Sequence, residues 1–169
     1  MKKRVKKVIG KSVSWKKIDW TALIACFIFV YIVGYVGGVF TQRNVNSLWY
    51  KTIKPVITPP EYLFPIVWTV LFILIALSLY FTWTGGKRKD KETVAYVYSG
   101  NFMLNILWTL LYFGYANITG AFIGVSLLWV SIVLMIYVAW EIDQKAAWML
   151  VPYLAWVSFA VYLNYLSLG

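Results

Sequence analysis

The chain has 169 residues, of which 62% are hydrophobic and only 13% charged. A water-soluble domain carries about 45–50% apolar and about 25% charged residues, so this chain has too little polar surface to cover itself in water. Sixteen Lys/Arg against six Asp/Glu give a net charge of +10, with no His and a single Cys; this excludes an intrachain disulfide and removes the usual imidazole metal ligand and physiological-pH switch.

The first element is a basic tail over residues 1–19, carrying Lys2, Lys3, Arg4, Lys6, Lys7, Lys11, Lys16 and Lys17. An apolar stretch follows directly, so topology and attraction to anionic lipid account for the charge better than nucleic acid does. That stretch runs about 20 residues, too long for a signal-peptide core, and no A-x-A-like site follows.

Five uncharged apolar stretches predict helices over Trp20–Gln42, Tyr62–Trp83, Val94–Tyr115, Gly120–Trp140 and Ala146–Leu168. Each reaches the roughly 20 residues that cross about 30 Å of hydrocarbon at about 1.5 Å per residue. The expected fold class is all-α: a polytopic membrane protein whose residues 20–169 form a five-transmembrane-helix bundle. None of the stretches contains Asp, Glu, Lys or Arg, which fits the cost of about 2.5–3.5 kcal/mol for a charge at the bilayer centre.

Five spans alternate the sides of the membrane. The tail, the 84–93 connection and Lys145 place thirteen Lys/Arg on one side; Arg43, Lys51 and Lys54 leave three on the other. The positive-inside rule then puts the N-terminus in the cytoplasm of a multi-pass cell-membrane protein. Trp15, Trp20, Trp83, Trp140 and Trp148 fall near span ends and read as interfacial anchors.

The connections are unequal. The third, around Ala116–Thr119, is so short that the third and fourth spans form an antiparallel hairpin. The first, Arg43–Glu61, holds Trp49-Tyr50 and then Lys54-Pro55-Val56-Ile57-Thr58-Pro59-Pro60. Three prolines prevent it from being one regular helix. A long connection of this kind in a compact domain points to function, here a semi-rigid aromatic lid.

Hydrolytic and metal chemistry have no residues to work with. All six acids, Asp19, Glu61, Asp90, Glu92, Glu141 and Asp143, lie at span ends or in connections. Proton-coupled transport draws on an ionisable group inside the bilayer, and the spans hold none. Aromatic and amide side chains remain. Phe64, Trp68 and Phe72 share a face of the second predicted helix. Asn101, Asn105, Trp108 and Tyr112 share one on the third, and Tyr153, Trp156, Ala160 and Leu163 on the fifth. Each stripe alone reads better as helix–helix packing. Together they describe a flat aromatic slot with amide groups, suited to a large planar hydrophobic ligand. Tryptophan is also readily oxidised by singlet oxygen or by electron transfer, so it can take part in chemistry on a photoactive ligand. Gly34-x-x-x-Gly38 and Gly120-x-x-x-Gly124 allow close helix approach, and intrachain packing explains them ahead of a dimer contact.

These residues, taken in order, resemble the translocator protein family (TspO/MBR). The matching pieces are Gly37-Gly38, Trp49-Tyr50 and Lys54-Pro55-x-x-x-Pro59-Pro60, then Phe64-Pro65-Ile66-Val67-Trp68-Thr69 and Asn105-x-x-Trp108. Pro152-Tyr153-Leu154-x-Trp156-x-x-Phe159-Ala160-x-x-Leu163-Asn164 completes the set, which spans about residues 20–166. The resemblance implies a five-helix bundle, often a homodimer, that binds protoporphyrin IX and other porphyrins, and isoquinoline-carboxamide and benzodiazepine-type ligands. It implies no cofactor: porphyrin is the ligand, or the substrate of light- and oxygen-dependent degradation. The implied pocket is lined by Tyr50, Pro59, Phe64, Trp68, Phe72, Asn105, Trp108, Trp156, Ala160 and Leu163, with Trp68 and Trp156 as candidates for the photochemistry. A tetrapyrrole sensor or scavenger is the function implied; a transporter of porphyrins or lipophiles, and a regulatory protein whose tail recruits a partner, are the alternatives. The chain departs from the family pattern in three places. Ile57 stands where an aromatic is usual, the Tyr50–Lys54 segment is one residue short, and no Lys or Arg follows Lys145, so the C-terminal cholesterol pattern is absent.

Overall fold

The computed structural model describes residues 18–169, so the basic tail read over residues 1–19 lies outside the described residues but for its last two positions. The second of these, Asp19, caps the first helix: its carboxylate accepts the Ala22 N–H at 3.0 Å, satisfying one of the free donors at the helix start. The helices are α1 (Trp20–Asn44), α2 (Leu48–Ile53), α3 (Leu63–Gly85), α4 (Arg88–Thr109), α5 (Ile118–Ile142) and α6 (Gln144–Leu166). All but α2 are long and apolar enough to cross a membrane. The described residues form no strand. The outward faces are apolar, with Ile24, Ile28 and Ile32 exposed on α1, Ile66, Val70 and Ile73 on α3, and Leu127, Val130 and Leu134 on α5. Recurring at three- and four-residue spacing, they form stripes that a water-soluble protein would bury. Lipid is the solvent these stripes fit.

The predicted spans match the long helices, and the differences lie at their ends. The α4 helix begins at Arg88 rather than Val94, because Asp90 accepts the Lys87 N–H at 2.8 Å and an acid is favoured in a helix first turn. Its C-terminal end widens into a π-helical turn, Leu110–Gly114. Ala116 then reverses the chain with φ 52°, a left-handed conformation costly for a residue with a Cβ. Asn117 starts α5 by accepting the Gly120 N–H at 2.8 Å. Between α5 and α6 only Asp143 is non-helical; its backbone N–H closes α5 and its carboxylate opens α6 by accepting from Lys145 N at 2.8 Å.

Around the bundle, α1 packs against α3 and α4, α3 against α6, α6 against α5, and α5 against α4, which closes a ring. In the most extensive pair, α5 and α6, the buried faces carry Val125, Leu128, Ile132 and Ala139 on one helix and Ala146, Ala147, Leu150 and Val157 on the other. Small residues let these backbones approach. Gly124 belongs to the same logic: a Cβ there would reach Trp108 and Leu111 of the neighbouring helix at van der Waals distance.

Candidate functional site

The chain between α1 and α3 folds over one end of this ring. Ser47 caps α2 by accepting the Tyr50 N–H at 3.2 Å, and α2 stops before Pro55, which cannot supply a helical N–H. Trp49 and Tyr50 then lie on the end of α4. Their rings meet Tyr112 edge-on at 5.7 and 6.3 Å, and Tyr50 also meets Phe113 at 5.5 Å. Tyr50 is 4% exposed. Burial, with Tyr112 and Glu61 nearby, pushes its phenol up to about 12, so it is neutral at physiological pH. The Thr58 N–H bonds to Pro55 O at 2.9 Å, and Lys54 Nζ reaches Glu61 Oε1 at 3.3 Å while lying 5.9 Å from the Tyr50 ring centre. The proline segment is thus a turn clipped by an ion pair.

Beneath this roof, α1, α3, α4 and α6 enclose a cavity of about 580 Å³, within the range of about 300–1,000 Å³ usual for small-molecule sites. Nine of the ten residues named from the sequence line it: Tyr50 from the roof, Phe64, Trp68 and Phe72 from α3, Asn105 and Trp108 from α4, and Trp156, Ala160 and Leu163 from α6. Pro59 does not. It is half-buried in the loop, and the turn presents Pro55 and Thr58 to the cavity instead.

The aromatic walls form two groups. Trp68 is the hub of one, 5.3 Å from Phe72, 6.2 Å from Trp108 and 6.1 Å from Tyr153. Trp156 anchors the other, between Phe64 at 5.8 Å and Phe159 at 5.9 Å. Trp108 donates its indole N–H to Asn164 Oδ1 at 3.2 Å. The Trp68 and Trp156 indoles make no hydrogen bond among the described residues and keep their donors free. Below the cavity floor, Asn105 Nδ2 donates to Tyr153 Oη at 3.1 Å, and Tyr153 donates to Asn101 Oδ1 at 3.3 Å. Asn101 Nδ2 passes the chain to Ser131 Oγ at 2.8 Å. Asn101, read on the same stripe as Asn105, therefore lies beneath the cavity and not in its wall. The lining holds no Lys, Arg or Asp, and Glu61 is its single carboxylate.

The α1 wall was not anticipated among the site residues. Val30, Gly34, Gly37, Gly38 and Thr41 contribute to it. A Cβ on Gly34 would come within 2.7 Å of the Phe72 ring, whereas one on Gly38 would meet nothing within 4 Å. The first glycine of the Gly-x-x-x-Gly pair lets an aromatic wall sit against the α1 backbone, and the second faces empty space. Tyr112 and Asn164 also line the cavity; both belonged to quoted motifs or stripes without being assigned to the wall.

The model of the TspO/MBR family matches residues 25–167. The chain belongs to that family. It is 36% identical over 146 residues to the tryptophan-rich protein TspO of Chlorobaculum tepidum, covering 85% of this chain and 91% of that one. The translocator protein of Bos taurus is 29% identical over 150 residues, covering 86% and 88%. The tryptophan-rich sensory protein of Cereibacter sphaeroides is 28% identical over 118 residues, covering 69% and 73%. The departure at Ile57 costs the cavity nothing, because that side chain is exposed and lies outside the lining. The short Tyr50–Lys54 spacing likewise leaves Tyr50 in the roof.

Proposed function

We propose that this membrane protein binds porphyrins such as protoporphyrin IX, and other planar hydrophobic ligands, in the cavity beneath its first loop. One observation carries the reading: two separate aromatic groups, centred on Trp68 and Trp156, flank an apolar cavity of about 580 Å³. Stacking on aromatic faces rewards a flat conjugated ring, and the free indole N–H groups supply directional polar contacts. Tyr31 and Tyr35 border the cavity and are 71% and 64% exposed toward the surrounding lipid, so a lipophilic ligand enters from the bilayer. The protein then serves as a tetrapyrrole sensor or scavenger, a role in keeping with the sensory name of one relative. Under light and oxygen, Trp68 and Trp156 take part in degrading the bound porphyrin. The Lys/Arg asymmetry supports a cytoplasmic N-terminus.

Tryptophan fluorescence during porphyrin titration of the purified protein tests the binding. Saturable quenching is expected, weakened when Trp68 or Trp156 is replaced by Phe. Quenching that never saturates would remove the proposal. Transport is the second reading, favoured by the opening toward lipid. With every Asp, Glu, Lys and Arg of the spanning helices at a helix end, nothing in mid-membrane couples such transport to an energy source; it would be passive, and porphyrin flux into proteoliposomes distinguishes it.

A further inference from the structure

A second groove lies in the opposite half of the bundle and shares no residue with the first cavity. Its volume is about 280 Å³, and its walls include Ala22, Ala25 and Cys26 of α1, Trp83 of α3, and Ala95 and Ser99 of α4. Ala25 and Ala95 are exposed on the helix surface, so the groove opens sideways into the hydrocarbon. Small side chains at these positions leave a furrow between α1 and α4 that no described residue fills. Lipid tails are the material that surrounds it.

The polar end of the furrow is basic. Arg88, Lys91, Ala95 and Ser99 follow one another at three- and four-residue spacing along α4, and so lie on one face. Two cations therefore stand in line with the groove, Lys91 lying one turn, about 6 Å of helix rise, before Ala95 at its end. Lys91 is half-buried, with its Nζ 5.0 Å from the centre of the Trp83 ring that forms the groove wall. Among the described residues no carboxylate lies within salt-bridge distance of Lys91 or Arg88. The adjacent Asp90 turns one carboxylate oxygen to the Lys87 backbone N–H. Lys87 and Lys89, both exposed, add to the positive field at this end.

We propose that this groove is a binding site for an anionic phospholipid, with one acyl chain in the furrow and the phosphate against Lys91 and Arg88. A second copy of the chain is a poorer occupant. A two-fold pairing through this surface would present the same patch twice and bring Arg88 and Lys91 of both copies together.

Native mass spectrometry of the full-length protein tests the proposal, using phosphatidylglycerol and phosphatidylcholine of identical acyl chains. The wild type should retain phosphatidylglycerol preferentially. Lys91→Gln and Arg88→Gln should each reduce that preference by about fivefold, while Ala95→Trp, which fills the furrow, should abolish the retained lipid of either kind. Inorganic phosphate at matched concentration should not displace the lipid; displacement would show that the cations bind phosphate without the acyl chain. Basic residues elsewhere attract anionic lipid equally in all variants, so the differences report this site. Porphyrin titration of the same variants should match wild type and show that they are folded. Unchanged retention in Ala95→Trp and in both charge variants would overturn the proposal. So would a loss of dimer in Ala95→Trp with lipid retention intact, which would make the groove an interface between copies.

Discussion

Replacing Tyr153 by Phe keeps the ring that touches Trp68 and removes only the hydroxyl that holds Asn105. In the intact protein this hydroxyl accepts from Asn105 Nδ2 at 3.1 Å and donates to Asn101 Oδ1 at 3.3 Å. Tyr153 and Asn101 are 1% and 0% exposed, so no water replaces the lost partner. A stranded buried polar group costs about 1–3 kcal/mol. Interhelical hydrogen bonds measured inside bilayers average only about 0.6 kcal/mol; here the Asn105 bond is at the long end of the usual range and the Asn101 bond lies beyond it. The expected loss is therefore about 1–2 kcal/mol for the pair of contacts. Reversible unfolding in mixed micelles measures it. A cycle with Asn105→Leu separates the coupling, which should be about 0.5–1 kcal/mol because the two residues share the bond. Porphyrin affinity should also fall, by less than about tenfold, since Asn105 stays in the wall but loses its fixed orientation. A variant within about 0.3 kcal/mol of wild type, with an additive cycle, would refute the view that this network positions the cavity floor.

Three other outcomes follow from the geometry. Gly34→Leu drives the Phe72 ring away from α1 and into the cavity, so porphyrin affinity should drop by at least about tenfold; undiminished affinity would show that the α1–α3 wall is not part of the site. Under illumination, Trp156→Phe should bind porphyrin yet degrade it more slowly than wild type, and equal rates of porphyrin loss would rule out a role for Trp156. Tyr50 has a folded pKa raised to about 12 from 10, so the contribution of its neutral phenol to stability is complete below pH 10 and fades as pH rises toward 12. Between those values wild type should lose more thermal stability than Tyr50→Phe, and parallel losses in the two proteins would contradict the burial of Tyr50 beneath the loop.

The five spans were readable because lipid imposes a length and a polarity on each, and composition records both. Their ends were not, because the last turns of a helix depend on caps. Asp90 draws the charged segment from Arg88 into α4, and Asp143 alone joins α5 to α6. The aromatic and amide walls on α3, α4 and α6 were readable because Trp and Asn are costly or unusual enough inside a span to ask for a partner. The α1 wall offered no such signal. Its glycines matter through the space they leave for Phe72, which depends on a neighbour far away in sequence. Pro59 shows the same limit within a motif. Its proline pattern identified the loop, but the turn between Pro55 and Thr58 decides which side chains face inward.

A structure of the protein with protoporphyrin IX bound tests the central claim most directly. The macrocycle should lie beneath Tyr50, between the Trp68 and Trp156 groups, with Asn105 at its floor. A porphyrin held on the outer helical surface or in the basic groove, with the cavity beneath the first loop left empty, would contradict it.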